Sequence, residues 1–378
     1  MSLVASPNPT TAALSNGASS LAKPQIINHL TRSVDYTPHD VKWIPGTARA
    51  VVVGETPRGT GAMAVYELDS GARSLVEAVR VADRPRAIKC SAMGASAFHR
   101  SHLATGDMTG ELCVWDLDRT DVPLYRAKAH DGVVNGMDAC AGRSAGCGAP
   151  EIATAGRDGC VKVWDVRQKD APVAKIAPLA GEVTRDCWSV AFGNSHNNDE
   201  RYVAAGYDNG DLKVFDLRAM GLVWETNVKN GVVSVQFDRW DIKANKLAIG
   251  TLEAGLHVYD LRTQHPESGF ASLRHTLPGT STVWNVKHSP HNRDLMAATS
   301  GQGGISIFKY NYPSKRSATD DKGKAFGIMG DLELLNSANV AEQPVSSFDW
   351  SPDKQGLCAY TAFDQTVRVG IVTKLGQY

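Results

Sequence analysis

Residues 151–167, which read EIATAGRDGCVKVWDVR, decide the fold of this chain. The stretch opens with small and β-branched residues, turns at Asp158 and Gly159, and continues as an alternating strand that ends at Trp164 and Asp165. Alternation of apolar and polar residues on both sides of an Asp-Gly turn predicts a β-hairpin with one buried face. Because an isolated hairpin is marginally stable, the pattern also predicts neighbours of the same kind.

The same sequence pattern recurs along the chain. Six copies end in an aromatic residue, at Tyr66, Trp115, Trp164, Phe215, Tyr259 and Phe308, and a last copy reads GLCAYTAFDQTVRVGIV in residues 356–372. The aromatic residues follow one another at intervals of 44 to 51 residues, slightly more than the ~40–45 residues of one WD blade. The chain therefore resembles the WD-repeat family over nearly its whole length. The resemblance implies an all-β fold, a seven-bladed WD-repeat β-propeller.

A further strand-like segment precedes each hairpin, and we expect these segments to line the central channel. They are HDVKWIP (39–45), IKCSAM (88–93), VVNGMDA (133–139), CWSVAFG (187–193), VVSVQFD (232–238), VWNVKHSP (283–290) and VSSFDWSP (345–352). The last blade lacks an outermost strand, so we predict that KPQIINHL (23–30) pairs there and closes the ring without an exposed edge. Residues 1–22 are rich in Ser, Ala, Asn, Thr and Pro and are predicted to be a disordered tail, which leaves residues 23–378 as one propeller domain.

Blade 3 carries the side chains that fix a blade in WD-repeat proteins. By that resemblance, His130, Thr154, Asp158 and Trp164 form a hydrogen-bonded structural tetrad. A histidine can donate to aspartate through one ring nitrogen and accept from threonine through the other, whereas an indole only donates. Such a satisfied network ties adjacent strands together. The same residue types would also suit a catalytic Ser/Thr-His-Asp arrangement, but the repeat context makes the structural role sufficient.

Composition indicates a cytoplasmic protein with protein partners. The chain has 40 Lys and Arg and 40 Asp and Glu, so its formal net charge is zero and no global field attracts nucleic acid or acidic lipid. No segment has the ~18 consecutive apolar residues of a membrane helix, and the N-terminal residues lack the pattern of a signal peptide. Seven cysteines without a Cys-x-x-Cys pair predict reduced thiols rather than disulfides or a zinc site.

Two motif matches with catalytic or metal chemistry are weak. Gly142–Gly146 is a Gly-x-Ser-x-Gly sequence around Ser144, but the strand before and helix after that a nucleophile elbow needs are missing. His288 and His291 are three residues apart, without a helix or a nearby acidic partner to make a metal site. We therefore expect no catalytic residue, no metal and no cofactor, and the chain is predicted not to be an enzyme.

The candidate protein-binding residues lie at the rim of the channel mouth. In other WD-repeat proteins, the residues that open the inner strands and those that precede the turn Asp reach this face. The corresponding residues here are Arg157, Arg185, Asp186, Trp188, Tyr207, Thr282, Trp284 and Phe363. Aromatic residues and Arg dominate the energy of protein interfaces. Packing inside the channel is the alternative role for Trp188 and Trp284.

Blades 3, 4 and 5 end in Asp-x-Arg, which places Arg167, Arg218 and Arg262 two residues after the Asp. In the structural interpretation, each of these arginines pairs with a nearby Asp or backbone carbonyl at the end of the strand. The functional alternative is the WD-x-Arg box of substrate receptors that dock on cullin ubiquitin ligases.

Between blades 6 and 7, residues 313–330 form an insertion of mixed charge, which we expect to be a mobile loop or a short docking motif.

Several segments are more specific than the general pattern of a WD repeat: KPQII, RDCWSVAFGN, AGYDNGDLKVFDLR, WETNVKNGV, RTQHPESGFAS, SPDKQGLC and FDQTVRVGIVTKL. From about Lys23 to the end, they resemble the Monad-type axonemal dynein assembly factors of the WD-repeat family. The resemblance implies a monomeric, cytoplasmic co-chaperone adaptor. Such an adaptor would link axonemal dynein heavy chains to a RuvB-like ATPase and prefoldin-like complex through the tetratricopeptide scaffold of that complex. A substrate receptor of a cullin-type ubiquitin ligase is the alternative function.

Overall fold

The computed structural model describes residues 23–378 with short gaps. The gaps are residues 70, 97–100, 142–150, 169–170, 180, 182, 196, 198, 240–241 and 266–268. The predicted tail of residues 1–22, the Gly-x-Ser-x-Gly match with Ser144, and Cys147 therefore lie outside the described residues. Within the described part, no helix is long and apolar enough to span a membrane, and the six cysteines there are buried and unbridged.

The described strands form seven four-stranded antiparallel sheets, which follow one another along the chain as blades. The first strand, β1 (Ile26–Ser33), belongs to the last blade. Blade 1 consists of β2 (Thr37–Ile44), β3 (Arg49–Glu55), β4 (Gly61–Asp69) and β5 (Ser74–Arg84). Blade 2 consists of β6 (Ile88–Met93), β7 (His102–Asp107), β8 (Glu111–Asp116) and β9 (Tyr125–Lys128). Blade 3 consists of β10 (Val134–Ala139), β11 (Ile152–Gly156), β12 (Val161–Trp164) and β13 (Ala174–Ile176).

The remaining four blades repeat this order. Blade 4 consists of β14 (Cys187–Gly193), β15 (Tyr202–Tyr207), β16 (Asp211–Asp216) and β17 (Gly221–Asn227). Blade 5 consists of β18 (Val232–Phe237), β19 (Lys246–Thr251), β20 (Gly255–His265) and β21 (Gly269–Thr276). Blade 6 consists of β22 (Val283–Ser289), β23 (Asn292–Ser300), β24 (Gly304–Asn311) and β27 (Asp331–Asn339), and a hairpin of β25 (Ser317–Thr319) and β26 (Ala325–Gly327) interrupts it. Blade 7 consists of β28 (Val345–Trp350), β29 (Leu357–Ala362), β30 (Thr366–Val372) and β1, and the chain ends in a 3₁₀ turn, Leu375–Gln377.

The core of the molecule lies between the blades. Seven apolar clusters are found, one at each junction between neighbouring blades. Between blades 7 and 1, for example, Trp43 and Tyr66 pack against Ala359 and Val369, and all four are almost fully buried. Each blade therefore buries both faces only because it has a neighbour on each side. The prediction of a seven-bladed propeller is confirmed.

The ring closes through its first strand, as predicted. β1 pairs antiparallel with β30, from Ile26 opposite Val372 to Ser33 opposite Thr366. The pairing extends beyond the predicted segment, and the guanidinium of Arg32 then donates to the carbonyl of Leu75 in blade 1 at 2.7 Å. The edge of β30 is thereby covered, and one strand joins the first and last blades.

The structure brings the four tetrad residues of blade 3 together. His130 Nδ1 lies 2.8 Å from Asp158 Oδ1, and His130 Nε2 lies 2.8 Å from Thr154 Oγ1. The indole of Trp164 donates to the same Thr154 hydroxyl at 3.0 Å. Because the carboxylate only accepts, Nδ1 donates to it, which leaves Nε2 to accept from the threonine hydroxyl. Blade 2 keeps only one part of this network, the bond from Trp115 Nε1 to Thr105 Oγ1 at 2.8 Å.

The insertion of residues 313–330 lies inside blade 6, between β24 and β27, and not between blades 6 and 7 as expected, and it differs from the loop expected from its composition. Its β25–β26 hairpin packs against blade 5. Arg316 donates through Nε to Asp260 Oδ2 at 2.9 Å and through Nη2 to Asn245 Oδ1 at 2.8 Å. Asp260 is fully buried, so its carboxylate needs a cationic partner, and the insertion supplies it. The partners are far apart in sequence, which is why mixed charge alone suggested a loop.

We predict that the closing strand stabilises the whole ring. Ile26→Ser with Leu30→Ser removes two side chains that pack against the clusters on either side of blade 7, and we expect a loss of about 2 kcal/mol. Unfolding in urea measures the loss, and size-exclusion chromatography should detect association through the freed edge of β30. Ile27→Ser, at a side chain that is 46% exposed, is the control. Equal stability of the two variants would contradict the prediction.

We predict that the hydroxyl of Thr154 contributes more to the free energy of unfolding than the hydroxyl of Thr105. Thr154→Val removes a hydroxyl that bridges two buried groups and leaves both His130 and Trp164 without that partner, at about 2 kcal/mol. Thr105→Val leaves only the indole of Trp115 unpaired, so about 1 kcal/mol is expected. The free energies of unfolding of the two nearly isosteric variants measure the difference. A larger effect at Thr105 would show that the tetrad does not work as a unit.

Candidate protein-binding site at the channel mouth

A β-bulge near the start of every inner strand shapes the mouth of the channel. The register with the second strand shifts at the same step in all seven blades, for example between Cys187 and Ser189 in blade 4 and between Val283 and Asn285 in blade 6. A bulge places two residues opposite one and redirects a side chain. The redirected side chains, which we call the mouth ring, all line the channel: His39, Lys89, Asn135, Trp188, Val233, Trp284 and Ser346.

The seven inner strands are joined to one another around the channel by bonds that involve side chains. At each junction, a side chain of one inner strand bonds to the backbone of the next. The bonds are His39 Nδ1 to Ile88 O (2.8 Å), Cys90 Sγ to Val134 O (3.4 Å), Asn135 Nδ2 to Cys187 O (3.0 Å), Ser189 Oγ to Val232 O (3.0 Å), Val286 N to Ser234 Oγ (3.0 Å), Asn285 Nδ2 to Ser346 O (2.9 Å) and Ser346 Oγ to Pro38 O (3.1 Å). These bonds satisfy polar groups that the propeller buries, and they hold the wall of the channel in one geometry.

The channel has a volume of about 1000 Å³ and is lined by residues of all seven blades. Below the mouth ring, its wall carries Lys42, Asp138, Lys287 and Asp349. Burial raises the pKa of Asp138, and that of Asp349, because neighbouring lysines offset the loss of water only in part. Burial is the largest single influence on Asp40 and opposes its ionisation, but the charge and hydrogen bond of Lys42, the hydrogen bond of Ser347 and the charge of Lys287 together lower the pKa of this carboxyl.

Four predicted rim residues lie in the channel mouth. Trp188, Thr282, Trp284 and Phe363 all line it and are partly exposed. The rings of Trp284 and Phe363 meet edge to face, with centroids 5.4 Å apart. The indole of Trp188 lies over Gly231 of the next blade, where a Cβ would collide with the ring. The mouth therefore presents aromatic surface that the ring of blades does not cover.

The other four predicted rim residues lie outside the channel lining. Arg157 and Arg185 are exposed, and Arg157 Nε lies 3.9 Å from Asp186 Oδ2. The expectation for Tyr207 is wrong: this side chain is buried in the cluster between blades 3 and 4, beside Cys187. Burial raises the pKa of its hydroxyl well above the ordinary value. The side chain turns inward because the apolar junction with blade 3 accommodates the ring.

Leu252 and five members of the mouth ring, among them Lys89, were not predicted as binding residues from the sequence. Leu252 follows β19, lines the channel and is 46% exposed, although an apolar side chain after a strand is expected to be buried. Lys89 lies in the mouth ring beside His39. The signal that would have found Lys89 is its position, since it is the second residue of an inner strand like Trp188 and Trp284.

The Asp-x-Arg sequences at the ends of the strands form local contacts, and these contacts are most extensive in blade 3. Arg167 binds Asp165 through both Nε, at 2.9 Å from Oδ1, and Nη2, at 2.6 Å from Oδ2. The backbone N–H groups of Arg218 and Arg262 donate to the aspartates two residues earlier, at 2.7 and 2.9 Å. The local interpretation thus accounts for the motif in blade 3. No described feature singles out these arginines as a docking surface.

His288 is a buried polar group without a hydrogen-bond partner. It occupies the sixth position of its inner strand, where blades 4 and 5 carry Phe192 and Phe237. Both ring nitrogens are buried, and no described residue bonds to them. Burial lowers the pKa of His288 to about 4, although Asp238 and Asp294 act in the opposite direction. The ring is therefore neutral at pH 7. Among the described residues, no group of three or more His, Cys, Asp or Glu side chains could hold a metal ion, so His288 and His291 have no further ligand beside them.

We predict that His288→Phe stabilises the protein. The variant removes two unpaired buried nitrogens, each of which costs about 1 kcal/mol or more. Because the pKa of His288 is lower in the folded chain, wild-type stability falls as the pH drops from 6.5 towards 4. The advantage of the variant should therefore grow by about 2 kcal/mol between pH 8 and pH 5. Urea unfolding at both pH values measures it, with His29→Phe at an exposed site as control. An advantage that does not change with pH would contradict the assignment.

Comparison with known proteins agrees with this geometry. The profile of the family described as WD domain, G-beta repeat, matches residues 122–165, which contain the tetrad of blade 3. Among curated proteins, Dynein axonemal assembly factor 10 of Xenopus laevis is 52% identical over 360 residues, which cover 95% of this chain and 99% of the relative.

Two further relatives with the same name come from distant organisms. Dynein axonemal assembly factor 10 of Homo sapiens is 50% identical over 359 residues, which cover 95% of this chain and 99% of the relative. That of Chlamydomonas reinhardtii is 50% identical over 355 residues, which cover 94% of this chain and 98% of the relative. Since the similarity spans nearly the whole of every chain compared, this chain belongs to the dynein axonemal assembly factor 10 family of WD-repeat proteins.

Proposed function

We propose that this chain is a non-catalytic scaffold for the assembly of axonemal dyneins in the cytoplasm. The observation that carries the proposal is the aromatic surface at the channel mouth, where Trp188, Trp284 and Phe363 remain partly exposed on an otherwise closed ring. Exposed aromatic side chains on a rigid frame are typical anchors of protein interfaces. The family to which the chain belongs supports dynein assembly as the process that this surface serves.

In finer terms, the chain acts as a monomeric co-chaperone adaptor. One partner is the RuvB-like ATPase and prefoldin-like complex, reached through the tetratricopeptide scaffold of that complex, and the other is the axonemal dynein heavy chain. The rim residues that the structure leaves accessible, Arg157, Arg185, Asp186, Trp188, Thr282, Trp284 and Phe363, supply the contacts. The adaptor needs no cofactor and no metal.

Rigidity supports this role. The inner strands are bonded to one another at every junction, and the blades bury their faces against both neighbours. A binding surface on such a frame loses little conformational entropy when a partner docks, so more of the contact energy appears as affinity. A partner that is itself unfolded or flexible, as an assembling motor subunit would be, then meets a surface that is already in its bound geometry.

We predict that Trp188→Ala with Trp284→Ala lowers the recovery of partners at least tenfold. The tagged full chain is used to capture proteins from the cytoplasm of ciliated cells, and RuvB-like ATPases and dynein heavy chains are quantified by mass spectrometry. The loss is expected because buried aromatic anchors at interfaces are each worth about 2 kcal/mol or more. Melting temperatures of both proteins verify that the variant is folded.

The matched control is Val122→Ala with Met220→Ala, which trims two exposed apolar side chains far from the mouth, on blades 2 and 4. We expect this control to recover partners as the wild type does. Loss in the control but not in the mouth variant would place the binding surface on the outer strands. Recovery of a cullin ligase adaptor in place of these partners, lost on substitution of Arg167, Arg218 and Arg262, would instead favour a ubiquitin-ligase receptor.

A further inference from the structure

Six of the seven blades begin with an equivalent residue, and that of blade 5 has no side chain. In these blades, the residue after the second strand donates its backbone N–H to the carbonyl of the residue that opens the inner strand, at 2.9 to 3.1 Å. The opening residues are Ala87, Val133, Asp186, Gly231, Thr282 and Pro344. Gly231 alone among these six lacks a Cβ, and it follows the blade that contributes Trp188 to the mouth ring.

The reason for a glycine at this place is the ring of Trp188. The φ angle of Gly231 lies outside the left-handed region, so the backbone itself does not demand a glycine. A Cβ on Gly231 would lie 2.4 Å from Cζ3 and 3.0 Å from Cη2 of the indole, and 2.9 Å from the carbonyl oxygen of Asp208. Since carbon atoms pack at about 3.5–4.0 Å, the indole occupies the volume that a side chain at Gly231 would need.

The backbone of Trp188 is held from the other side, by blade 3. The carbonyl of Cys187 accepts from Asn135 Nδ2 at 3.0 Å, and a Cβ on Gly136 would lie only 2.8 Å from the carbonyl oxygen of Trp188. Among the described residues, none forms a hydrogen bond with the indole N–H, so the position of the ring depends on packing. A Cβ at Gly231 would therefore displace the partly exposed ring of Trp188 and leave the bonded backbone in place.

Gly231 also fixes an apolar neighbour of this ring. Its carbonyl accepts from the backbone N–H of Leu252 at 2.9 Å, and Leu252 lines the channel mouth with 46% of its surface exposed. Trp188 and Leu252 come from different blades, and Gly231 contacts the ring of one and the backbone of the other. A residue without a side chain thus brings two apolar groups of the mouth together.

Trp284 is placed in a different way and provides an internal comparison. A Cβ on Gly301, which follows the second strand of blade 6, would lie 3.5 Å from Trp284 Nε1 and 3.3 Å from the Cβ of Ser281. These are close to ordinary van der Waals contacts, so the indole of Trp284 need not move. Its ring is supported by Phe363, with centroids 5.4 Å apart. The same substitution at the glycine beside each tryptophan should therefore affect only Trp188.

We propose that Gly231 is a positioning residue of the protein-binding site: because it has no Cβ, the indole of Trp188 lies over the start of blade 5, in the place where it anchors a partner. The inference rests on the proposed scaffold function and identifies the residue that sets the geometry of one anchor. Anchoring side chains at interfaces pack tightly into matching pockets, so a ring that a methyl group displaces loses its fit. Gly231 acts through Trp188 and not by touching the partner.

The position of the ring is measured directly by fluorine NMR of the full chain labelled with fluorotryptophan. The chain has eight tryptophans, and the signal of Trp188 is assigned by its loss in Trp188→Phe. We expect Gly231→Ala to shift this signal by more than its line width, whereas Gly301→Ala, the matched control, leaves it in place. An unshifted Trp188 signal in Gly231→Ala would overturn the proposal.

The consequence for binding is measured by capture of RuvB-like ATPases and dynein heavy chains from the cytoplasm of ciliated cells. Gly231→Ala should lower recovery about fivefold or more in the wild-type background. In the Trp188→Ala background it should have no further effect, because the ring that it displaces is then missing. Gly301→Ala should recover partners as the wild type does.

Melting temperatures separate a displaced ring from a damaged fold. Because Trp188→Ala removes the collision, the double variant with Gly231→Ala should melt no lower than Trp188→Ala alone. A double variant that is less stable, or that recovers still less partner, would overturn the proposal, since Gly231 would then act through the backbone of Asp208. If Trp188→Ala lowers recovery and Gly231→Ala does not, the inference fails and the scaffold function stands. If neither lowers recovery, the channel mouth is not the binding surface, and both fail.

Discussion

The structure depends on one constraint: a blade buries its apolar faces only against other blades, so the ring must close. Seven clusters of buried side chains occupy the seven junctions, and none belongs to a single blade. Closure is achieved by β1, which completes blade 7 and reaches blade 1 through Arg32. A chain of this length would usually form more than one core. It forms one closed ring instead because each repeat adds its own junction.

Closure also determines what the centre of the molecule can do. Each inner strand bonds to the next, so the wall of the channel is fixed and its polar groups are mostly satisfied within the wall. The bulge repeated in each inner strand then points the mouth ring into the channel. Trp188 and Trp284 are thereby held in place without being covered. A rigid rim with uncovered aromatic groups suits a scaffold that receives several partners in turn.

Features that repeat or are local could be predicted from the sequence. The seven blades and the closing strand follow from recurring sequence patterns, and the tetrad follows from His130, Thr154, Asp158 and Trp164 within one repeat. The position of Tyr207 could not be predicted, because a period of two does not tell which junction accepts a side chain at the end of a strand. The hairpin in residues 313–330 was missed for a related reason. Its docking depends on Arg316 and Asp260, which are remote in sequence and meet only in the fold.

Only part of the channel mouth could be predicted from the sequence, because contacts between strands decide which side chains face the channel. Trp188 and Trp284 were found because tryptophan at the opening of an inner strand is conspicuous, whereas Lys89 in the equivalent place was not. The bulges that make these places equivalent depend on the register with the second strand, and a single strand does not encode that register. Leu252 was missed because a leucine after a strand gives no sign that its side chain faces a cavity.

The most direct measurement of the central claim is site-specific photocrosslinking in ciliated cells. A photoreactive phenylalanine analogue replaces Phe363 at the channel mouth in one sample, and Leu222 on the exposed outer strand of blade 4 in the other. The account predicts that dynein heavy chains or co-chaperone subunits crosslink at position 363 and not at position 222. Crosslinks at 222 with none at 363 would show that partners bind the outer strands, and that the channel mouth is not the functional surface.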